Sequence, residues 1–164
     1  QKHLFVNGPI LSPAEVFTIL DPLARALEYA HGQGVIHRDI KPSNIMISTD
    51  GEVFLTDFGV AKLVESATVT SVMAGTPAYM SPEQKKCMSA DLRSDLYAVG
   101  KMAFRMLTGE ESGGLELPTE LVEGIAEGWN DWVKRALKVD PDKRFPTAAE
   151  MSEGLGFSGH LPRS

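Results

Sequence analysis

The chain has 164 residues and a formal net charge of −6, and 43% of its residues are hydrophobic and 23% charged. This length suffices for one domain with a buried core, while the negative charge, without a basic cluster, argues against a nucleic-acid partner. The single cysteine, Cys87, excludes an internal disulfide, and no apolar run approaches the roughly 18 residues of a membrane span. We therefore expect a cytoplasmic protein or the cytoplasmic domain of a larger one.

The first predicted elements are the tail of a helix and a loop over residues 1–11, followed by a long amphipathic helix. Residues 12–15, Ser-Pro-Ala-Glu, form a capping-box pattern with proline at the first helical position. Apolar residues then recur at helical spacing, at Val16, Ile19, Leu20, Leu23, Leu27 and Ala30. Residues 35–36 are expected to form a short strand. Because the chain lacks an initiator methionine, we interpret Gln1 as a cut point in a longer protein.

Residues 37–59 are predicted to form a loop followed by a β-hairpin. Two apolar runs, residues 45–48 and 53–56, flank an Asp-Gly turn, and this dipeptide favours a hairpin because glycine accepts positive φ. A tight hairpin brings its ends together, so Asn44 and Asp57 should face each other. An amide oxygen and a carboxylate, with no cysteine or ligating histidine nearby, suit Mg²⁺.

Two further polar residues precede this hairpin within the same loop. Asp39 supplies a carboxylate that can act as a base, and Lys41 supplies a cation that can contact a phosphate. A base, a phosphate-binding cation and a magnesium site together are typical of phosphoryl transfer.

The second half of the chain is predicted to be helical. Residues 93–107 are apolar on nearly all sides, which is typical of a helix at the centre of a bundle. A later helical face contains Trp129 and Trp132, and we assign both to the core. A capping-box pattern at residues 147–150 starts the last helix, and residues 157–164 are expected to be a frayed tail.

Several of these motifs resemble, in order, those of eukaryotic-type Ser/Thr protein kinases. The segment from His37 to Gly59 resembles the catalytic loop and metal-binding segment. Residues 75–83 resemble the end of the activation segment, with Ser81 where alanine is usual, and residues 94–97 and 140–144 follow in the family's order. The resemblance covers nearly the whole chain but only the large lobe, and a bacterial-like member is compatible with it.

The resemblance implies a mainly α fold over residues 1–164: a kinase large lobe, with a helical bundle around a buried central helix and a small β-hairpin at the catalytic cleft. Asp39 would orient the attacking hydroxyl and accept its proton, and Lys41 would neutralise charge on the transferred phosphoryl group. Asn44 and Asp57 would hold Mg²⁺ between the phosphates of ATP, with Met46 beneath the adenine.

Other residues have structural or regulatory roles by the same resemblance. They are His37, Arg38, Phe58, Gly59, Thr68, Thr70, Thr76, Glu83, Asp95 and Arg144. Arg144 would pair with Glu83, and Asp95 would bond the catalytic-loop backbone. A phosphate on Thr68 or Thr70 would pair with Arg38, although a plain solvated loop explains the same hydroxyl-rich segment. Lys41 and Thr76 are typical of Ser/Thr-directed members.

Two parts of the family pattern are missing. The glycine-rich loop, the strand lysine and its glutamate partner belong to a small lobe, which would precede Gln1 as the partner of this chain. The chain alone is therefore expected to be inactive. Residues 110–117 are too rich in glycine and glutamate for the packed helix that helps to dock protein substrates in the family.

Three functions remain open from the sequence. The favoured one is the catalytic-lobe portion of a Ser/Thr protein kinase that acts on a protein substrate held at the activation segment. The second is a non-catalytic, kinase-derived binding module. The third is a small-molecule phosphotransferase, which the activation-segment motif disfavours because that motif presents a peptide.

Overall fold

The structure, a computed structural model, describes residues 2–3, 10–58, 77–111 and 116–156. Its helices in these ranges are α1 (Pro13–Gly32), α2 (Pro82–Lys85), α3 (Leu92–Thr108), α4 (Pro118–Leu121), α5 (Gly128–Ala136) and α6 (Ala148–Glu153). Its strands are β1 (Lys2–His3), β2 (Ile45–Ile47) and β3 (Val53–Leu55), and single 3-10 turns lie at Pro42–Asn44, Pro77–Tyr79 and Pro141–Lys143. The expected mainly α fold is confirmed.

Helix α1 begins at the predicted capping box. The Ser12 hydroxyl accepts from the Glu15 N–H at 3.3 Å, and the Glu15 carboxylate accepts from the Ser12 N–H at 2.8 Å. The predicted apolar face is buried except for Ala30, and it packs on α3 and α6. No helix in the described part of the chain is both long enough and apolar enough to cross a bilayer.

Helix α3 is the central helix that the sequence predicts. The Asp91 carboxylate caps its first turn by accepting from the Arg93 N–H at 2.8 Å, and Gly109 ends it in the left-handed region at φ 75°. Twelve of its seventeen residues are buried, and α1, α4 and α5 pack against it. Trp129 and Trp132 of α5 are core residues, with exposed fractions of 0% and 3%.

Gly100 allows α5 to approach α3 closely. A Cβ on Gly100 would lie 2.6 Å from the Ala136 Cβ and 3.1 Å from a Leu137 methyl group. We expect Gly100→Ala to lower the free energy of unfolding by about 1–3 kcal/mol through overpacking, despite the better helix propensity of alanine. Urea denaturation measures this change. Gly32→Ala is the matched control, because nothing lies within 4 Å of a Cβ there, and an equal loss in both variants would contradict the prediction.

The sheet has three antiparallel strands in the order β1-β2-β3, rather than the two of a hairpin. The hairpin pairs Met46 with Phe54, and β1 adds to its free edge by pairing His3 with Met46. The prediction of a helix tail and a loop over residues 1–11 is therefore wrong at residues 2–3, where the backbone groups pair with the edge of β2.

Residues 35–36 form no strand in the structure, so that prediction is also wrong. The Val35 N–H donates to the Ala30 carbonyl at 2.9 Å. This N–H group is therefore used at the C-terminal end of α1 and is not available for pairing with a β-strand.

Candidate functional site

The candidate site lies where the hairpin strands meet the loop that precedes them. The Asn44 carbonyl accepts from the Thr56 N–H at 2.8 Å and from the Thr56 hydroxyl at 3.1 Å. Asn44 is thus opposite Thr56, and Asp57 follows directly in the left-handed region at φ 65°. The hairpin register brings the amide and the carboxylate to the same end of the sheet.

Asp39, Lys41 and Asn44 contact one another at this end. The Asn44 Nδ2 donates to the Asp39 carbonyl at 2.8 Å and lies 3.4 Å from Asp39 Oδ2. Lys41 Nζ is 3.2 Å from the same Oδ2, and the two side chains are 26% and 30% exposed. The carboxylate is therefore oriented by its neighbours and still open to a ligand from solvent.

His37 connects this loop to β3. The buried imidazole donates from Nε2 to the Thr56 carbonyl at 2.7 Å and accepts from the Asp39 N–H at Nδ1, at 3.1 Å. The Phe58 ring packs edge-on against it, with 4.7 Å between ring centroids. Both ring nitrogens are engaged, so His37 positions its neighbours and has no nitrogen left for a reacting group.

Asp95, near the start of α3, holds the backbone of the same loop. Its Oδ2 accepts from the His37 N–H at 2.9 Å, and its Oδ1 accepts from the Arg38 N–H at 2.8 Å. His31 Nε2 also contacts Oδ2 at 2.8 Å, with both side chains at most 5% exposed. His31 is not among the site residues predicted from the sequence, although its place four residues after the buried Leu27 indicates an inward position.

The pair of Glu83 and Arg144 joins α2 to the chain before α6. The guanidinium donates to the carboxylate at 2.6 and 2.8 Å, and to the carbonyls of Lys138, Val139 and Arg93. Burial by itself raises the pKa of the Glu83 carboxyl, but hydrogen bonds from Arg144 and from Ser94 outweigh it and lower the pKa to about 2. Glu83 is therefore a structural carboxylate and not a proton donor at neutral pH.

Gln84, the residue after Glu83, is a second residue at the site that was not predicted from the sequence. Its Nε2 donates to the Arg38 carbonyl at 3.0 Å. The contact joins residues 46 positions apart, and no local pattern indicates it.

The oxygen atoms at the hairpin end suit a magnesium ion. Asn44 Nδ2 is used on Asp39, so the Asn44 Oδ1 is the oxygen that this side chain could offer to a cation, and Asp57 could offer its carboxylate. The described residues include no group of three or more His, Cys, Asp or Glu side chains that could enclose a metal ion. Magnesium is commonly bound by one or two protein oxygens, with phosphates and water completing its shell, so the residues present fit it.

Met46 lies in the middle of β2, half-buried and opposite Phe54. The remaining predicted residues, Gly59, Thr68, Thr70 and Thr76, lie outside the described residues. So do residues 112–115, within the segment where a docking helix was expected to be missing, and the tail at 157–164.

An apolar groove lies between α1 and β3. It has a volume of about 620 Å³, and its lining includes Tyr29, Phe54 and Phe58. Tyr29 is 74% exposed and Phe54 is 45% exposed, so large apolar side chains face solvent beside the candidate site.

Comparison with known proteins agrees with the kinase-like motifs in the sequence. A model of the protein kinase domain matches residues 2–154. Serine/threonine-protein kinase PknL of Mycobacterium tuberculosis is 35% identical over 94% of this chain and 43% of its own length. Serine/threonine-protein kinase PknB of Mycobacterium leprae is 36% identical over 91% of this chain and 27% of its own length.

A solved structure gives a similar result. The crystal structure of the Mycobacterium tuberculosis PknI kinase domain superposes with a TM-score of 0.72 at 27% identity, over 90% of this chain and 56% of that one. The chain therefore spans less than half the length of these two curated relatives and about half of the solved kinase domain.

Proposed function

Because the chain belongs to the protein kinase domain family, we propose that it is the large-lobe part of a Ser/Thr protein kinase that transfers the γ-phosphate of ATP to protein hydroxyls. The observation that carries the proposal is the convergence of Asp39, Lys41 and Asn44 at the hairpin end that leads to Asp57. The names of the curated relatives support the choice of serine and threonine.

Asp39 is the base in this proposal. Lys41 and Asn44 both contact its Oδ2 atom, and the partial exposure of the side chain lets a substrate hydroxyl approach. A positioned base that accepts a proton in the transition state typically contributes a factor of about 10² to 10⁴ in rate.

Lys41 stabilises charge on the transferred group. Its ammonium lies beside the Asp39 carboxylate, so it is close to the point where the hydroxyl attacks. Preorganised cations at such a point lower the barrier because they need not reorganise during the reaction.

Asn44 and Asp57 are the proposed ligands for Mg²⁺, which neutralises phosphate charge when it is bound. The Asn44 amide also holds the Asp39 loop, because its Nδ2 donates to the Asp39 carbonyl. Met46, on the strand that follows Asn44, is the proposed floor for the adenine.

The proposed partner is a small lobe that covers the nucleotide from the other side. Two observations support it: the solved kinase domain is nearly twice as long as the part that this chain matches, and apolar Tyr29 and Phe54 are exposed beside the site. Exposed apolar patches of this kind mark interaction surfaces.

The proposal is tested by comparing Mg-ATP binding to this 164-residue chain and to its full-length parent. We expect the parent to bind Mg-ATP near 10 μM, about −7 kcal/mol, and to transfer phosphate to Ser or Thr only with Mg²⁺. Alone, the chain lacks half of the enclosure, and its phosphate contacts are weakened by water. We expect a Kd near 1 mM or weaker and no transfer.

Isothermal titration calorimetry gives both affinities, and circular dichroism establishes that the chain is folded during the titration. Micromolar binding by the folded chain alone would favour a self-contained nucleotide-binding module over a kinase lobe. A parent that transfers no phosphate to protein would refute the proposed function.

A further inference from the structure

Arg38, the residue before Asp39, has an unfavourable backbone conformation. Its φ is 70°, in the left-handed region that costs a residue with a Cβ about 1–2 kcal/mol. Such a conformation persists only where the surroundings fix it. The contacts that fix Arg38 therefore also determine where the Asp39 side chain begins.

Three side chains hold the two peptide groups that flank Arg38. Asp95 accepts from the Arg38 N–H at 2.8 Å, and His37 Nδ1 accepts from the Asp39 N–H at 3.1 Å. Gln84 Nε2 donates to the Arg38 carbonyl at 3.0 Å. The last two contacts lie on opposite edges of one peptide plane, the plane that connects Arg38 to Asp39.

Gln84 is itself fixed by the N-cap of α2. The side-chain Oε1 of Gln84 accepts from the backbone N–H of Ser81 at 3.0 Å, and the backbone N–H of Gln84 donates to the Ser81 hydroxyl at 3.3 Å. Ser81 is fully buried. With the amide oxygen held by Ser81, the amide nitrogen has one orientation, toward the Arg38 carbonyl.

We propose that Gln84 is a positioning residue for phosphoryl transfer, because it holds the peptide plane that carries Asp39. The inference rests on the proposed role of Asp39 as the base. If Gln84 holds this peptide plane, the position of the base depends on the correct folding of the Ser81 capping box at the start of α2. The 3-10 turn Pro77–Tyr79 leads directly into this box, so the end of the segment proposed to hold the peptide substrate is connected to the base.

Gln84 accepts a hydrogen bond from Ser81 and donates one to Arg38, and one substitution separates these two contacts. Gln84→Glu keeps an oxygen that accepts from Ser81, as glutamate does in other capping boxes. It removes the donor to the Arg38 carbonyl and faces that carbonyl with a negative charge. Glu15→Gln, in the capping box of α1, is the matched control, because it exchanges the same two groups at the exposed first turn of α1, at the opposite end of that helix from His31.

The experiment measures steady-state kinetics and amide hydrogen exchange in the full-length protein. We expect Gln84→Glu to lower kcat about tenfold or more, with the KM for ATP within about twofold, because a small displacement of a catalytic group is costly. Exchange in peptides covering residues 36–40 should become at least about tenfold faster. Glu15→Gln should change neither quantity.

A second variant, Gln84→Met, removes the donor without burying a charge and should also lower kcat. Unchanged kcat in either folded variant, or unchanged exchange at residues 36–40, would overturn the proposal. A fall in kcat that Glu15→Gln reproduces would assign the effect to capping alone and overturn it too. If the parent transfers no phosphate, the proposed function fails, while the exchange measurement still decides whether Gln84 holds the loop.

Discussion

Asp39→Asn in the full-length protein is expected to lower kcat by about a hundredfold to ten-thousandfold and to leave the fold intact. Asparagine keeps the shape of the side chain and still accepts from Lys41, but it cannot take the proton of the attacking hydroxyl. The size of the loss is that of a general base. Transfer of labelled phosphate to a protein substrate at saturating ATP measures kcat, and circular dichroism measures the fold.

Asp50→Asn is the matched control for this variant. Asp50 is exposed in the hairpin turn, so the same chemical change there should leave kcat unchanged. A wild-type rate for Asp39→Asn would remove Asp39 from the role of base.

Arg144→Met is expected to lower the free energy of unfolding by about 3–5 kcal/mol. The guanidinium side chain is fully buried and binds Glu83 at 2.6 Å, and removal of one partner leaves an uncompensated buried charge. Three backbone carbonyls also lose their donor. Urea denaturation at neutral pH gives the change directly.

Arg25→Met is the control for the loss of an arginine charge. Arg25 pairs with Asp21 on the surface of α1 and is 76% exposed, so its loss should cost no more than about 0.5 kcal/mol. Similar losses in the free energy of unfolding for both variants would show that the buried Arg144–Glu83 pair contributes no more to stability than a surface pair.

The pH dependence of the Arg144→Met effect follows from the pKa of Glu83. In the folded wild type this pKa is lowered from 4.5 to about 2, so the contribution of Glu83 to stability is complete above about pH 4.5. It is lost as the pH falls toward 2. The difference in the free energy of unfolding between wild type and Arg144→Met should therefore narrow as the pH falls toward 2, and a constant difference would contradict the assignment.

The longer elements of the fold could be predicted because local signals specify them. The capping box at Ser12 and the apolar spacing after it specify α1, and the Asp-Gly turn specifies the hairpin. Strand β1 could not be predicted, because two residues carry no periodicity and the pairing of His3 with Met46 joins distant parts of the chain. Strand pairing of this kind is visible only in three dimensions.

The residues of the candidate site also divide into those that the local sequence indicates and those that it does not. Asp39, Lys41 and Asn44 lie within six residues, and their resemblance to a known motif is enough to single them out. Gln84 contacts the same loop from 46 residues away, and His31 contacts Asp95, which holds the loop, from 64 residues away. Histidine and glutamine at helix ends are common, so only the folded arrangement identifies these two.

The left-handed backbone of Arg38 implies a conflict between stability and function. Asp57 is also left-handed, but aspartate is one of the residue types that tolerate this region, whereas arginine is not. Glycine at position 38 would relieve the strain in the folded state, yet it would also free the peptide plane that Asp95, His37 and Gln84 hold. The strained backbone of Arg38 therefore marks a point where the geometry of the candidate site is maintained at a cost to the stability of the fold.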